Sequence, residues 1–495
     1  MKMIKLAAYI ASATMLTACF DDSDDDGVSV PAINMEKAQL VVNTNADIAL
    51  AAYKDSLATA QDLKTALNTF ATTSNATNLE AAKKAWLISR EPYGQTEVYR
   101  FRPTPIEDNL STTEGEDGPE GALNAWPLGE ALIDYVKTGS DFGTAEIGVE
   151  SHGVPAPQSG SALPAAIDTA NASASAASNG NTIIGNRDIT IDASLLETSE
   201  SGAGNDVISG YHAIEFLLWG QDLNESGNVT TDASRDEAIK TNNFNHGGQR
   251  PLTDFTSDAN ADRRHAFLAV AADKLIADLT QVVNQWTAGT ANSYYDAFTT
   301  LSSEADAKQK LTEILTGMGT LSEGELAGER MQIAFSANSQ EDEHSCFSDN
   351  THRDIWLNAE GVSNSYFGQY TGYDADLDPS TVDVTSSGVS AVDGYGIYDY
   401  LQDVGLDSLA TTTKTALETT ETNYTAIDTD ARNNKPFDVL IMDVNRTADS
   451  SVAKTIISLN AQATSIQDAA NALGLGTVVD AEASACDTTT PDVEC

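Results

Sequence analysis

Positive charge is scarce in this sequence: its 495 residues hold 27 Lys and Arg against 74 Asp and Glu, a formal net charge of −47. A folded body so acidic is repelled by nucleic acid and by anionic lipid, which excludes both as its partners. The same charge favours solubility, a saline habitat or the attraction of cations. Histidine is scarce too, with six, and cysteine appears four times. Beyond Cys19 the cysteines are Cys346, Cys486 and Cys495, an odd number that leaves one thiol over from any disulfide. The tail cysteines closing on each other and Cys346 pairing with either of them are equally open. Several catalytic signatures are missing. No G-x-S-x-G elbow supports a serine hydrolase, and no G-x-x-x-x-G-K cradles a phosphate. Cys346 lacks a papain-like or caspase-like context and reads as a disulfide half or a buried thiol.

The N-terminus reads as an address. M-K-M-I-K precedes the apolar run Leu6 to Met15, and L-T-A-C ends at Cys19, which has the form of a lipoprotein signal rather than a membrane span. Cys19 is then the lipidated N-terminus, in an exported protein where disulfides are permitted. Phe20 follows it where an aspartate would favour retention in the inner membrane, so the expected location is the cell envelope, anchored in the outer membrane. The acidic stretch around Asp21–Gly27 buries nothing and serves as a tether over 19–33.

Removing 18 residues leaves 477, enough for one large or two ordinary domains. Ala49, Tyr53, Leu57, Ala60, Leu63, Leu67 and Phe70 step by three or four and predict a helix that ends in the polar stretch 72–78. A second helix carries Trp86, Arg90, Tyr93 and Glu97 on one side, with Pro92 expected to kink or restart it. Arg90 and Glu97 there are either solvated charges or part of a site. A short helix is expected from Pro127. Residues 138–205 are rich in Ser, Ala, Gly and Asn and read as a surface insertion, and 224–262 as a long loop holding H-G-G-Q-R-P-L-T-D-F. Leu268 to Trp286, Leu311 to Met318 and Val452 to Leu473 carry further helical stripes, and Gly317, Gly319, Gly324 and Gly328 let another helix approach. No run reads as paired strands. The fold class is all-α, two packed helical bundles, divided as 34–240, a connection at 241–261, 262–480 and a tail at 481–495.

The chemistry concentrates in G-Y-H-A-I-E-F-L-L-W-G, Gly210 to Gly220. On a helix His212 and Glu215 share a face, while Ile214, Phe216, Leu217, Leu218 and Trp219 cover most of the remainder, so the helix is buried. A buried imidazole and carboxylate need hydrogen bonds, a counter-ion or a metal. A second dense stretch, Gln340 to Asp354, holds two histidines, five carboxylates and Cys346 in 15 residues. His344 and His352 lie eight apart in hydrophilic surroundings and read as solvent-exposed, and Ser348 as an N-cap for the helix that follows.

These blocks resemble the imelysin-like family, which includes bacterial iron-regulated protein A and an insulin-cleaving outer-membrane protein. The hallmark G-x-H-x-x-E is Gly210, His212 and Glu215, and W-L-I-S-R-E-P-Y-G-Q-T-E-V-Y-R-F, R-P-L-T-D-F, L-A-G-E-R-M and D-E-H-S-C-F-S-D-N-T-H match in order. Glu107 stands where the family pattern has aspartate. The resemblance implies an all-helical two-domain fold, the H-x-x-E helix near the domain interface, and a role in iron uptake beside other uptake components. Three functions follow. The first is metal binding by His212 and Glu215, with Glu97 or a carboxylate from Glu341 to Glu343 completing the shell. Iron is the expected metal and zinc the alternative, and haem would use His212 as an axial ligand. The second is a metallopeptidase with Glu215 or Glu343 as base, although Phe216 stands where the inverted zinc motif needs its second histidine. The third is a binding module in which the pair is structural and satisfied by Arg90 or Arg250. Tyr93, Asp254, Glu329, Asp342, His344 and His352 are further site candidates, and Arg250 with Asp254 can equally pin the long loop.

Overall fold

A computed structural model describes residues 30–108, 118–124, 126, 128–136, 182–200, 207–222, 247–248, 250–338, 340–377, 391–442 and 445–479. Cys19, the tether, most of the 138–205 insertion and the cysteines of the tail lie outside the described residues. Among the described residues eight α-helices of ten residues or more form the body: α1 (Met35–Thr72), α2 (Ala76–Gly94), α3 (Gly210–Trp219), α4 (Ala261–Gln285), α5 (Glu304–Thr320), α6 (Thr351–Phe367), α7 (Asp407–Arg432) and α8 (Ser451–Ala472). The fold is all-α. Its one described β ladder pairs Gln369–Tyr370 with Val392–Asp393, antiparallel.

α1 packs along α2 and α4, and α3 lies on α2 and α4. In the other bundle α7 pairs with α8, which also packs on α5. α6 touches α2 on one side and α7 on the other, and so ties the bundles together. α4 follows the expected connection at 241–261 in sequence, yet it packs on α1.

Several helices start and stop where local chemistry dictates, and others do not. The Asn34 side chain accepts from the Lys37 amide and caps α1, which starts at Met35, fourteen residues before the stripe at Ala49, because Ala38, Val41, Val42 and Ala46 continue the buried face. α7 lies in the stretch expected to be helical but carries no apolar stripe that marks it. Its outward face is largely threonine, whose hydroxyls bond the carbonyl four residues back, as Thr411 does to Asp407 and Thr415 to Thr411. Leu417, Tyr424 and Ile427 hold its inner face. Pro92 sits in the last turn of α2 and no new helix starts there; Glu97 belongs instead to a 3-10 turn, Glu97–Tyr99. The helix expected from Pro127 is reduced to Glu130–Ile133. Leu321–Gln332 continues α5 as a π-helix of 12 residues, a rare form that is frequent at functional sites. Gly317 does allow a close approach, but of the Val98 carbonyl rather than a helix: a Cβ there would lie 2.3 Å from that oxygen.

Candidate functional site beside the H-x-x-E helix

Gly210 opens α3 with φ +80°, and a Cβ on it would fall 2.4 Å from the Leu123 carbonyl oxygen, so only glycine fits. The far end is stitched down by two amides: Arg250 donates to the Trp219 carbonyl and Gly248 to the Phe347 carbonyl, both at 2.7 Å. This brings the 340–350 loop against α3.

His212 and Glu215 are fully buried and bond each other, Nδ1 to Oε2, at 2.8 Å. The second Glu215 oxygen accepts from the Ser348 amide at 2.9 Å and the Ser348 hydroxyl at 2.7 Å. Ser348 is therefore not the N-cap of α6, a position Asn350 takes. Burial pushes the Glu215 carboxyl up to about 8 against the pull of Ser348, and burial, with His344 next to it, holds the His212 imidazole well below its usual value. Both are neutral at pH 7. His212 Nε2 is buried and has no hydrogen-bond partner.

His344 is buried and not solvent-exposed as its hydrophilic neighbours imply; His352 is largely covered. The His344 ring meets the His212 ring edge-on, centroids 4.6 Å apart, and the indole of Trp126 lies against both, at 4.8 Å from His212 and 6.2 Å from His344. Nδ1 of His344 is 2.8 Å from Asp354 Oδ2. Burial and Arg330 hold the His344 imidazole down at about 4. Burial would raise Asp354, but Arg90 and His344 outweigh it and keep the carboxyl well below its usual range. A neutral imidazole beside an ionised carboxylate donates from Nδ1, which leaves the lone pair on Nε2. Ser345 donates to the same carboxylate rather than to the imidazole, so Ser345, His344 and Asp354 do not form a nucleophilic triad.

Arg90 is buried and does not touch the His212–Glu215 pair. Its Nη2 bonds Asp354 at 3.0 Å and its Nη1 bonds Asn124. Tyr93 packs on Tyr211. Glu97 is buried as well, bonded to Arg100 at 2.7 Å and Arg330 at 3.0 Å. Burial raises its carboxyl, but these guanidiniums outweigh that and hold it at about 2. Arg250 and Asp254 form a separate buried network: Arg250 bonds Asp134 at 2.6 Å and Asp254 at 3.2 Å, and Arg264 grips both oxygens of Asp134. That network pins the 250–255 block beneath α3. Cys346 is buried. His352 faces Asp428, to which Arg353 and Arg432 also bond.

A cleft of about 210 Å³ opens beside His344, lined by Arg100, Glu120, Asn124, Trp126, Glu325, Glu329, Arg330 and Asp342 as well. The π-helix supplies three of these, Glu325, Glu329 and Arg330. Their part in a site was legible only as the L-A-G-E-R-M block, since the i→i+5 bonding of a π-helix departs from the three-and-four spacing that marks an α-helix. Arg100 sits among Glu97, Glu107 and Glu120, and burial raises Glu120 to about 7 against the pull of Arg100. Among the described residues no three His, Cys, Asp or Glu side chains converge as a ready metal cage.

An all-helical body whose H-x-x-E helix is clamped under a His- and Asp-bearing loop defines the class of protein. The sequence model of the imelysin family matches residues 49–474, and the chain belongs to that family. It is similar to iron-regulated protein A of Synechococcus elongatus, 33% identical over 81 residues, which are 16% of this chain and 20% of that protein. The chain thus spans about a fifth of the curated relative it matches. Its fold is that of an iron-regulated protein A precursor from Parabacteroides distasonis, with a TM-score of 0.53 at 16% identity, over 89% of this chain and 96% of that one.

Proposed function

We propose that this protein handles iron in the cell envelope, binding the metal in the cleft beside α3. The observation that carries the reading is a pair of touching imidazoles, each held at Nδ1 by the carboxyl group of an acidic residue, Glu215 or Asp354, with Nε2 of His212 buried and unpartnered. Metal-binding histidines are characteristically held in this way, the second nitrogen oriented by a carboxylate. The donors fit a metal ion in part. His344 and His212 would supply nitrogen, Glu329 and Asp342 oxygen from the cleft wall, and Glu215 orients His212 rather than binding metal itself. A bound iron would supply a centre that exchanges oxygen ligands. The residues hold the imidazoles neutral and shield them behind Trp126.

The other readings have less support. A peptidase needs a base facing water, but both Glu215 oxygens are engaged, by His212 and Ser348, and Glu343 is fully buried. A structural pair satisfied by arginine finds neither Arg90 nor Arg250 on it. Haem is disfavoured by a cleft smaller than those that hold drug-sized ligands and by the complete burial of His212. The iron reading also draws on the name of the relative, and the envelope location on the signal ending at Cys19.

The test is metal binding to the mature chain and to His212→Ala and His344→Ala, by elemental analysis and by competition with a chromophoric chelator. Wild type is expected to hold near-stoichiometric iron, and each variant to lose at least about ten-fold in affinity with its helix content intact. Equal affinity in all three proteins refutes the assignment.

A further inference from the structure

Two features of the cleft go unused by a bare metal ion. Arg330 is 4% exposed, and its Nη2 is taken by Glu97 at 3.0 Å and Glu325 at 2.9 Å, yet Nε and Nη1 have no acceptor. Buried N–H groups left unmet are costly, and what they lack is an oxygen. Of the carboxylates around Arg330, Glu97 and Glu325 already take Nη2, and Glu97, Glu107 and Glu120 pair with Arg100. In addition, the metal-type donors on the walls do not close round a point, since no three of the described ones form a cage. A cation entering here would keep part of its coordination shell from elsewhere.

One ligand meets both needs. We propose that the cleft takes its metal as a small oxygen-donor chelate of the hydroxycarboxylate class, with Arg330 donating from Nε and Nη1 to carboxylate oxygens of the chelator. This rests on the metal-binding reading above and names the form in which the metal arrives. His344, Glu329 and Asp342 provide the metal side of the cleft, and Trp126 its apolar wall. Charge makes the site selective. Glu120, Glu325, Glu329 and Asp342 line the cleft against Arg100 and Arg330, so a free polycarboxylate is repelled and the metal's positive charge is what admits it. A volume of about 210 Å³ suits a compact chelator and not a macrocycle.

The experiment is calorimetric titration of the mature, metal-free chain with gallium(III) citrate as a redox-inert ferric stand-in, with citrate alone, and with iron(II) under nitrogen. Wild type is compared with Arg330→Gln and Arg330→Lys, and circular dichroism checks the fold. Lysine keeps a positive charge toward Glu97 and Glu325 while losing the two unmet donors, so it serves if the glutamine variant unfolds. The chelate is expected to bind wild type, citrate alone not to bind, and each Arg330 variant to bind the chelate about ten- to hundred-fold more weakly, a loss larger than any change in its iron(II) affinity. Chelate affinity unchanged in Arg330→Lys, or citrate binding without metal, overturns the proposal. Iron(II) bound without any chelate binding also overturns it but leaves the metal reading standing, whereas binding of neither removes both.

Discussion

Asp134→Asn tests whether the arginines beneath α3 are scaffold or site. Asp134 is buried and carries three short bonds: Arg250 Nη1 at 2.6 Å, Arg264 Nε at 2.7 Å and Arg264 Nη2 at 3.1 Å. Asparagine keeps the shape and one acceptor oxygen, but it removes the charge and turns an NH2 group toward a guanidinium. Breaking a buried ion pair from one side costs about 3–5 kcal/mol. Here Arg250 keeps Asp254 at 3.2 Å, and Arg264 keeps Asp258 at 2.8 Å and the Asp254 carbonyl at 2.9 Å, so the residual charges are not bare. The expected loss is therefore about 2–4 kcal/mol. Urea denaturation reads it as a lower midpoint at an unchanged slope. Below the transition, metal affinity should equal that of wild type, because no Asp134 partner touches His212, His344 or the cleft. A loss under about 1 kcal/mol, or metal binding lost at full stability, refutes the scaffold assignment.

Gly210→Ala should destabilise by more than about 2 kcal/mol in the same assay, since it adds a strained φ of +80° and a Cβ 2.4 Å from the Leu123 carbonyl oxygen; a neutral result would mean that α3 can shift at its start. In metal-free protein Glu215, raised to about 8 from an unfolded value near 4.5, contributes stability that is complete below pH 4.5 and is lost as pH rises through 8. Wild type should thus lose about 2 kcal/mol relative to Glu215→Gln between pH 6.5 and 9, a window above the range in which His212 opposes it. Parallel stability curves for the two proteins across that window would show that Glu215 is already ionised at pH 7.

How much of this was legible beforehand differs from element to element. Helices with regular apolar stripes, such as α4 and α8, were readable because a helix facing one core must repeat its contacts every three or four residues. The bounds of α7 were not readable because threonine fills its outer face and satisfies its hydroxyls on its own backbone, a local solution without apolar signature. His344 looked exposed because its sequence neighbours are charged. In the fold one of those charges, Asp354, bonds its ring and Arg90 instead of water, while His212 and Trp126 pack against it.

The sequence by itself determined the class of fold, the burial of the His212–Glu215 helix and the kinship of the chain, since each depends on residue types at short spacings. Only the tertiary structure decided who partners that pair. Ser348 lies 133 residues from Glu215, and the ring of His344 meets that of His212 across a comparable separation. Arg90, a nearer candidate in the sequence, turns to Asp354. Contacts across such separations are set by how whole helices pack, and a periodicity of three and four carries no record of them.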